Sequence, residues 1–95
     1  MPRMRSTIER AAGKLIAAIQ KEWTAEMGTA TSKASEQVMH TSHDLLQAAK
    51  AHGSIASVIG TGSVAKFLGI AWVEAHPSIL PYIQALETAE RAEHE

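Results

Sequence analysis

Apolar residues recur at intervals of three and four positions along most of the chain, which is the period of an amphipathic α-helix. The first run starts at Ser6-Thr7-Ile8-Glu9, a capping-box pattern, and ends before Gly28, which suits the left-handed conformation after a helix. The pattern therefore predicts a first helix over residues 7–27. Its apolar face is formed by Ile8, Ala12, Leu15, Ile16, Ala18, Ile19 and Trp23.

A second run follows a short polar connector and predicts a helix over residues 32–52. Thr31 and Ser32 are candidate N-caps, and Gly53 marks its end. Two long helices that each carry an apolar face are expected to pack against each other as an αα-hairpin. The apolar face of the second helix is formed by Ala34, Val38, Met39, Ser42, Leu45, Leu46 and Ala49.

Glycine and proline divide the second half of the chain. Residues 53–62 contain three glycines and are expected to form a flexible connector in which Ser54 caps one short turn. A third helix is predicted over residues 63–76, ending before a proline, with Val64, Phe67, Leu68, Ala71, Trp72 and Ala75 on its apolar face.

A fourth helix is predicted over residues 79–93, capped by Ser78 and with Pro81 in its first turn, where a missing N–H costs little. Its apolar face is formed by Ile79, Tyr82, Ile83, Leu86 and Ala89. The chain is thus predicted to be one all-α domain over residues 1–95, a small antiparallel bundle of about four helices built on the N-terminal αα-hairpin.

Composition adds an expectation about assembly. Seventeen of the 95 residues are alanine and only 4% are aromatic, so the predicted core is thin. Alanine lets helices approach closely but buries little apolar area per residue. Because small chains with thin cores commonly gain stability by oligomerising, we expect a homodimer.

Several kinds of chemistry have no matching residues. The absence of cysteine excludes disulfides, thiolate zinc sites and cysteine nucleophiles. Asp44 is the only aspartate, and no nucleophile-elbow signature is present, so we predict no catalytic residue, no cofactor and no enzyme activity. The N-terminus lacks the apolar stretch of a secretory signal, which favours the cytoplasm.

Residues 55–73 are about as long as a membrane-spanning helix and carry a single charge, Lys66. The glycines in this stretch and the cost of a lysine near the bilayer centre favour a buried core segment instead. We therefore expect no membrane partner.

Glu36, His40 and His43 share one face of the second predicted helix, because they are spaced by about one turn. Imidazole and carboxylate groups at this spacing are candidate ligands for zinc or another divalent ion. The three residues lie opposite the apolar face, however, where a solvated polar surface is the favoured interpretation. We predict no bound metal.

Val64-Ala65-Lys66-Phe67-Leu68-Gly69-Ile70-Ala71 resembles the first helix and turn of a helix-turn-helix DNA-binding motif. The resemblance implies a small DNA-associated regulator acting through residues 64–78. The stretch 72–77 that follows has no arginine or lysine, whereas a recognition helix carries basic residues into the major groove. Because the chain has a net charge of -1, nucleic acid is not the expected partner. The candidate contacts to nucleic acid are Arg3, Arg5 and Arg10.

Charge is distributed unevenly. Residues 1–30 carry a net charge of +2 and residues 67–95 a net charge of -4, which indicates either decorated helix faces with a solvated tail or ends that attract each other. Glu22 and Glu26 flank Trp23, so this end of the first helix either leaves the core or meets a basic group, such as Lys66 or one from another subunit.

Trp23, Phe67, Trp72 and Tyr82 have two interpretations: they close the ends of the small core, or they anchor a partner, since aromatic residues are frequent in binding hot spots. The leading hypothesis is a non-catalytic protein–protein interaction module, a small regulator, inhibitor or adaptor that binds itself and one further protein.

Overall fold

Both long amphipathic runs fold as helices with bounds close to the predicted ones. The computed structural model describes residues 7–60 and 62–93, in which α1 spans Thr7–Glu26 and α2 spans Ser32–His52. Gly28 and Gly53 follow these helices with φ angles of 88° and 65°, where glycine is favoured. Ser6 of the predicted capping box lies outside the described residues, and Thr31 makes no side-chain cap bond.

The second half of the chain divides into more helices than the pattern predicts. The described elements are α3 (Ala56–Ile59), α4 (Val64–Leu68), α5 (Ile70–Ala75), a 3₁₀ turn (Pro77–Ile79) and α6 (Leu80–Glu93). The prediction of one helix over 63–76 is wrong, because Gly69 has a φ of 111° and separates α4 from α5. The predicted fourth helix starts with the 3₁₀ turn, and Pro81 lies in the first turn of α6 as expected.

The stretch 55–73 is not one continuous helix. It is divided among α3, α4 and the first part of α5. Within the described ranges, no helix is both long enough and apolar enough to cross a membrane.

Gly13 and Gly69 form a matched pair for testing the interruption. A β-carbon added at either glycine meets no atom within 4 Å, but only Gly69 has a positive φ. We expect Gly13→Ala to raise the free energy of unfolding by about 0.5–1 kcal/mol, because alanine loses less backbone entropy in a helix. Gly69→Ala should lower it by about 1 kcal/mol, because an L-residue is strained at this φ. Urea denaturation measures both changes, and effects of the same sign would contradict this account of Gly69.

The apolar faces of the long helices meet in one core. α1 packs against both α2 and α6, and α4 contacts α2 and α6. The largest fully buried apolar side chains are Ile8, Leu15, Ile19, Leu45, Ile55, Val64, Ile79 and Leu86. The fold is all-α over the described residues, and this core fixes how the helices are arranged.

The apolar periodicity predicts the burial of several side chains wrongly. Four residues predicted on apolar faces are exposed, namely Ala34, Ala71, Ala75 and Tyr82. Ser35 and Val73 are buried instead. Single apolar residues are common on protein surfaces, so the place of an alanine or tyrosine in a three-to-four spacing does not determine its burial.

Two carboxylates of α6 accept hydrogen bonds from segments that are far away in the sequence. Glu90 accepts hydrogen bonds from the Ser54 hydroxyl (2.7 Å) and from the Ile55 backbone N–H (2.9 Å). Glu87 accepts one from the Val64 backbone N–H at the start of α4 (3.0 Å). Glu87 and Glu90 therefore compensate N–H groups that would otherwise be unpaired at the starts of α4 and of the segment that leads into α3.

Candidate functional site

Tyr82 is the exposed member of the four aromatic residues predicted as partner contacts. Its exposed fraction is 40%, whereas Trp72 is buried in the core. Trp23 and Phe67 are partly buried and pack against the same core. The arrangement of these three residues fits the interpretation that they close the core, which leaves Tyr82 as the aromatic side chain available to a partner.

Tyr82 borders a shallow groove between α1 and α6. Two adjoining depressions share Ala18, Lys21 and Tyr82, and together we call them the α1–α6 groove. The groove follows α1 from residue 14 to residue 25, a length of about 16 Å or three helical turns. Its remaining lining residues are Lys14, Ala17, Glu22, Ala25 and Ser78.

The rim of the α1–α6 groove is basic. Lys14 and Lys21 are both exposed, and neither makes an ion pair with any residue of the described ranges. Arg10 is exposed one turn before Lys14 and extends the positive strip along α1. The carboxylate of the groove, Glu22, accepts a hydrogen bond from the Ser78 hydroxyl and thereby ties the 3₁₀ turn to α1.

Beside the end of the groove that is formed by Glu22 and Ser78, a polar network joins α1, α2 and α5. His76 Nε2 contacts the Glu26 carboxylate, and Ser35 Oγ donates to the other oxygen of that carboxylate. The indole N–H of Trp72 donates in turn to Ser35 Oγ (2.9 Å). The rings of Trp72 and His76 stack with their centroids 4.1 Å apart. The network explains why the polar residue Ser35 is buried although the sequence pattern does not predict its burial: its hydroxyl is hydrogen-bonded to Glu26 and Trp72.

The hydrogen bonds of His76 define its protonation state. Nδ1 lies 2.8 Å from the Trp72 carbonyl oxygen, which only accepts, and Nε2 faces a carboxylate. With Glu26 ionised, both ring nitrogens must therefore carry a proton, so the pair is an imidazolium and a carboxylate. The side chains of His76 and Glu26 are 12% and 19% exposed, which places this ion pair at the edge of the core.

The pKa values of both groups shift in the direction that an ion pair requires. The hydrogen bond from His76, followed by that from Ser35, lowers the pKa of Glu26 below its ordinary value of 4.5. Burial alone would lower the pKa of His76, but its hydrogen bonds to Glu26 and to the Trp72 carbonyl outweigh burial and raise that pKa above 6.5. Of the two alternatives for this end of α1, the contact between a carboxylate and a basic group is the one observed, with His76 rather than Lys66 as the partner.

The candidate metal ligands do not converge. His40 Nε2 lies 3.8 Å from a Glu36 carboxylate oxygen, and both side chains are solvated. His43 Nδ1 lies 2.9 Å from the Met39 carbonyl oxygen on its own helix. Over the described ranges, no group of three histidine, aspartate or glutamate residues is placed to hold a metal ion.

The helix-turn-helix-like segment exposes few basic side chains. The exposed residues of α5 are Ile70, Ala71, Glu74 and Ala75, while Trp72 and Val73 face the core. Of the candidate nucleic-acid contacts, Arg10 is exposed on α1. Arg3 and Arg5 lie outside the described residues.

Comparison with known proteins adds no assignment. No family model, curated protein or solved structure matches the chain. The functional argument therefore rests on the residues of the α1–α6 groove and of the adjoining network. Sequence reasoning missed Lys14, Lys21 and Ser35, although the lysines had a signal: they are seven positions apart and so share one helix face.

Proposed function

We propose that this chain is a non-catalytic protein–protein interaction module whose docking surface is the α1–α6 groove. The observation that carries the proposal is the combination of an exposed Tyr82 with two exposed lysines and a strip of small side chains. Tyrosine offers a large apolar ring and a hydroxyl to a partner at low entropic cost, and it is enriched in binding hot spots.

The small side chains supply the second part of the argument. Ala17 and Ala25 are exposed and Ala18 is half-buried, so the backbone of α1 is within close reach of a docked segment. Interfaces combine such close packing at the centre with polar groups at the rim. Lys14 and Lys21 supply the polar groups here.

The rest of the molecule acts as the scaffold of this surface. In the proposed architecture, α1 and α2 form an antiparallel αα-hairpin, and α6 completes the bundle on the other side of α1. The network of Glu26, His76, Ser35 and Trp72 holds the corner before α6, and the Glu22–Ser78 hydrogen bond fixes the end of the groove.

We also propose that the chain acts as a homodimer, as its alanine-rich composition suggests. The proposed location is the cytoplasm. Sedimentation equilibrium at tens of micromolar should then give twice the chain mass of 10.2 kDa. A monomeric mass would remove the homodimer from the proposal, whereas the groove is proposed as a surface for a different protein in either case.

The function is tested by blocking the groove without disturbing the core. Ala17→Trp places a bulky side chain in the groove, and Ala34→Trp places the same side chain at an exposed position on α2. In affinity capture from the cells that produce the protein, we expect the Ala34→Trp variant to retain the proteins bound by the parent chain. The Ala17→Trp variant should lose at least one of them, and identical capture by both variants would contradict the proposal.

A further inference from the structure

We infer that the α1–α6 groove accepts an acidic amphipathic helix from a partner protein. This inference rests on the proposed function, because it names the chemistry of the partner for the same surface. It is carried by the spacing of Lys14 and Lys21, by the small residues between them and by the position of Tyr82.

The lysines set the charge and the spacing of the partner. Lys14 and Lys21 are seven residues apart on one helix, which is close to two turns or about 10 Å. A partner helix running along α1 with two carboxylates seven positions apart places one carboxylate beside each ammonium group. Because both lysines are exposed and without an ion pair in the described ranges, they are available for this pairing.

The floor of the groove favours a helix over an extended segment. Ala17, Ala18 and Ala25 present only methyl groups, and small residues allow two helix axes to approach within about 8–10 Å. A helix satisfies its own backbone hydrogen bonds, whereas an extended segment here would find no strand edge to pair with in the described residues. Tyr82 then contacts the side of the docked helix.

Two other occupants fit the groove less well. A nucleic-acid backbone would meet the carboxylate of Glu22 and an apolar floor along with the two lysines, and phosphate binding is driven by positive charge. In a two-fold dimer built on this groove, the same patch of both copies would face each other and bring the two basic rims together. A separate acidic helix avoids both conflicts.

The test uses designed peptides, because they present the inferred chemistry in isolation. The probe is a fluorescein-labelled, end-capped helical peptide with alanine and leucine on one face and two glutamates seven positions apart beside that face. The control peptide has lysine in place of both glutamates. Fluorescence anisotropy at low ionic strength should show saturable binding of the acidic peptide and none of the basic one.

Matched variants locate the binding. Lys14→Glu combined with Lys21→Glu should weaken binding of the acidic peptide by at least about tenfold, because two exposed charge pairs are lost and like charges replace them. Lys33→Glu combined with Lys50→Glu changes the net charge equally on the exposed face of α2 and should weaken it by less than about twofold. Circular dichroism confirms that both double variants fold.

The outcomes separate this inference from the proposed function. Equal loss in both double variants, or tighter binding of a duplex DNA probe that the groove variant abolishes, would overturn the acidic-helix inference. If the acidic peptide does not bind but Ala17→Trp still loses a captured protein, only the chemistry of the partner is wrong. If neither effect is seen, the proposed function is wrong as well.

Discussion

Replacing Leu15 with alanine is expected to lower the free energy of unfolding by about 3 kcal/mol. Leu15 is completely buried in the middle of α1, the helix that packs against both α2 and α6. The truncation removes apolar contacts and leaves a cavity that the neighbouring helices fill only in part. Because domains of this size are stable by only about 5–15 kcal/mol, the change should be large in urea denaturation followed by circular dichroism.

Leu80→Ala is the control for this prediction. It deletes the same atoms from the first residue of α6, where the side chain is 40% exposed, so its effect should stay below about 1 kcal/mol. Similar losses at the two positions would show that Leu15 does not lie at the centre of the core.

Glu26→Gln is expected to lower the free energy of unfolding by about 2 kcal/mol near pH 6 and by clearly less once the pH has risen through the folded-state pKa of His76. The substitution keeps the size of the side chain but removes the charge that pairs with His76, and hydrogen bonds to charged groups contribute about 1.5–3 kcal/mol. The difference shrinks as the pH rises through the raised pKa of His76, because His76 in the parent chain then loses its proton and the ion pair is lost with it.

The pH range of this stabilisation follows from the two pKa shifts. The raised pKa of His76 gives a contribution that is complete below pH 6.5 and is lost as the pH rises through the folded-state pKa. The lowered pKa of Glu26 gives a contribution that is complete above pH 4.5 and is lost as the pH falls through its folded-state pKa. Stabilisation by the pair is therefore greatest between about pH 4.5 and 6.5.

Glu36→Gln is the matched control, because Glu36 faces His40 at 3.8 Å on the solvated side of α2. An exposed pair of this kind contributes little, so we expect a change below about 0.5 kcal/mol at every pH. NMR titration of the histidine rings should also show that Glu26→Gln lowers the pKa of His76. An unchanged pKa of His76 would contradict the ion pair.

The long helices were predictable because local rules define them. Apolar spacing, a polar connector and two cap glycines place α1 and α2 to within one residue of their observed bounds. The break at Gly69 was not predictable in this way. Gly13 and Gly69 both lie inside an apolar periodic run, yet Gly13 is helical and Gly69 has a φ of 111°, a difference that the local pattern does not encode.

Long-range polar contacts explain most of what the sequence did not predict. The residues of the His76–Glu26 pair are 50 positions apart, and charge alone gave no reason to prefer His76 over Lys66. The buried position of Ser35 follows from the indole N–H of Trp72, which needs an acceptor. The groove depends on how α6 lies against α1, so the sequence indicated Tyr82 as a contact but not the lysines opposite it.

The most direct measurement of the central claim is site-specific photo-cross-linking in the cells that produce the protein. A photoreactive phenylalanine analogue is placed at Tyr82 in the α1–α6 groove and, in a parallel experiment, at the exposed Ala34 on α2. If the groove is the docking surface, the chain labelled at position 82 forms a discrete adduct with a second protein, and the chain labelled at position 34 does not. Adducts of the same pattern and yield from both positions, or from position 34 alone, would contradict the claim.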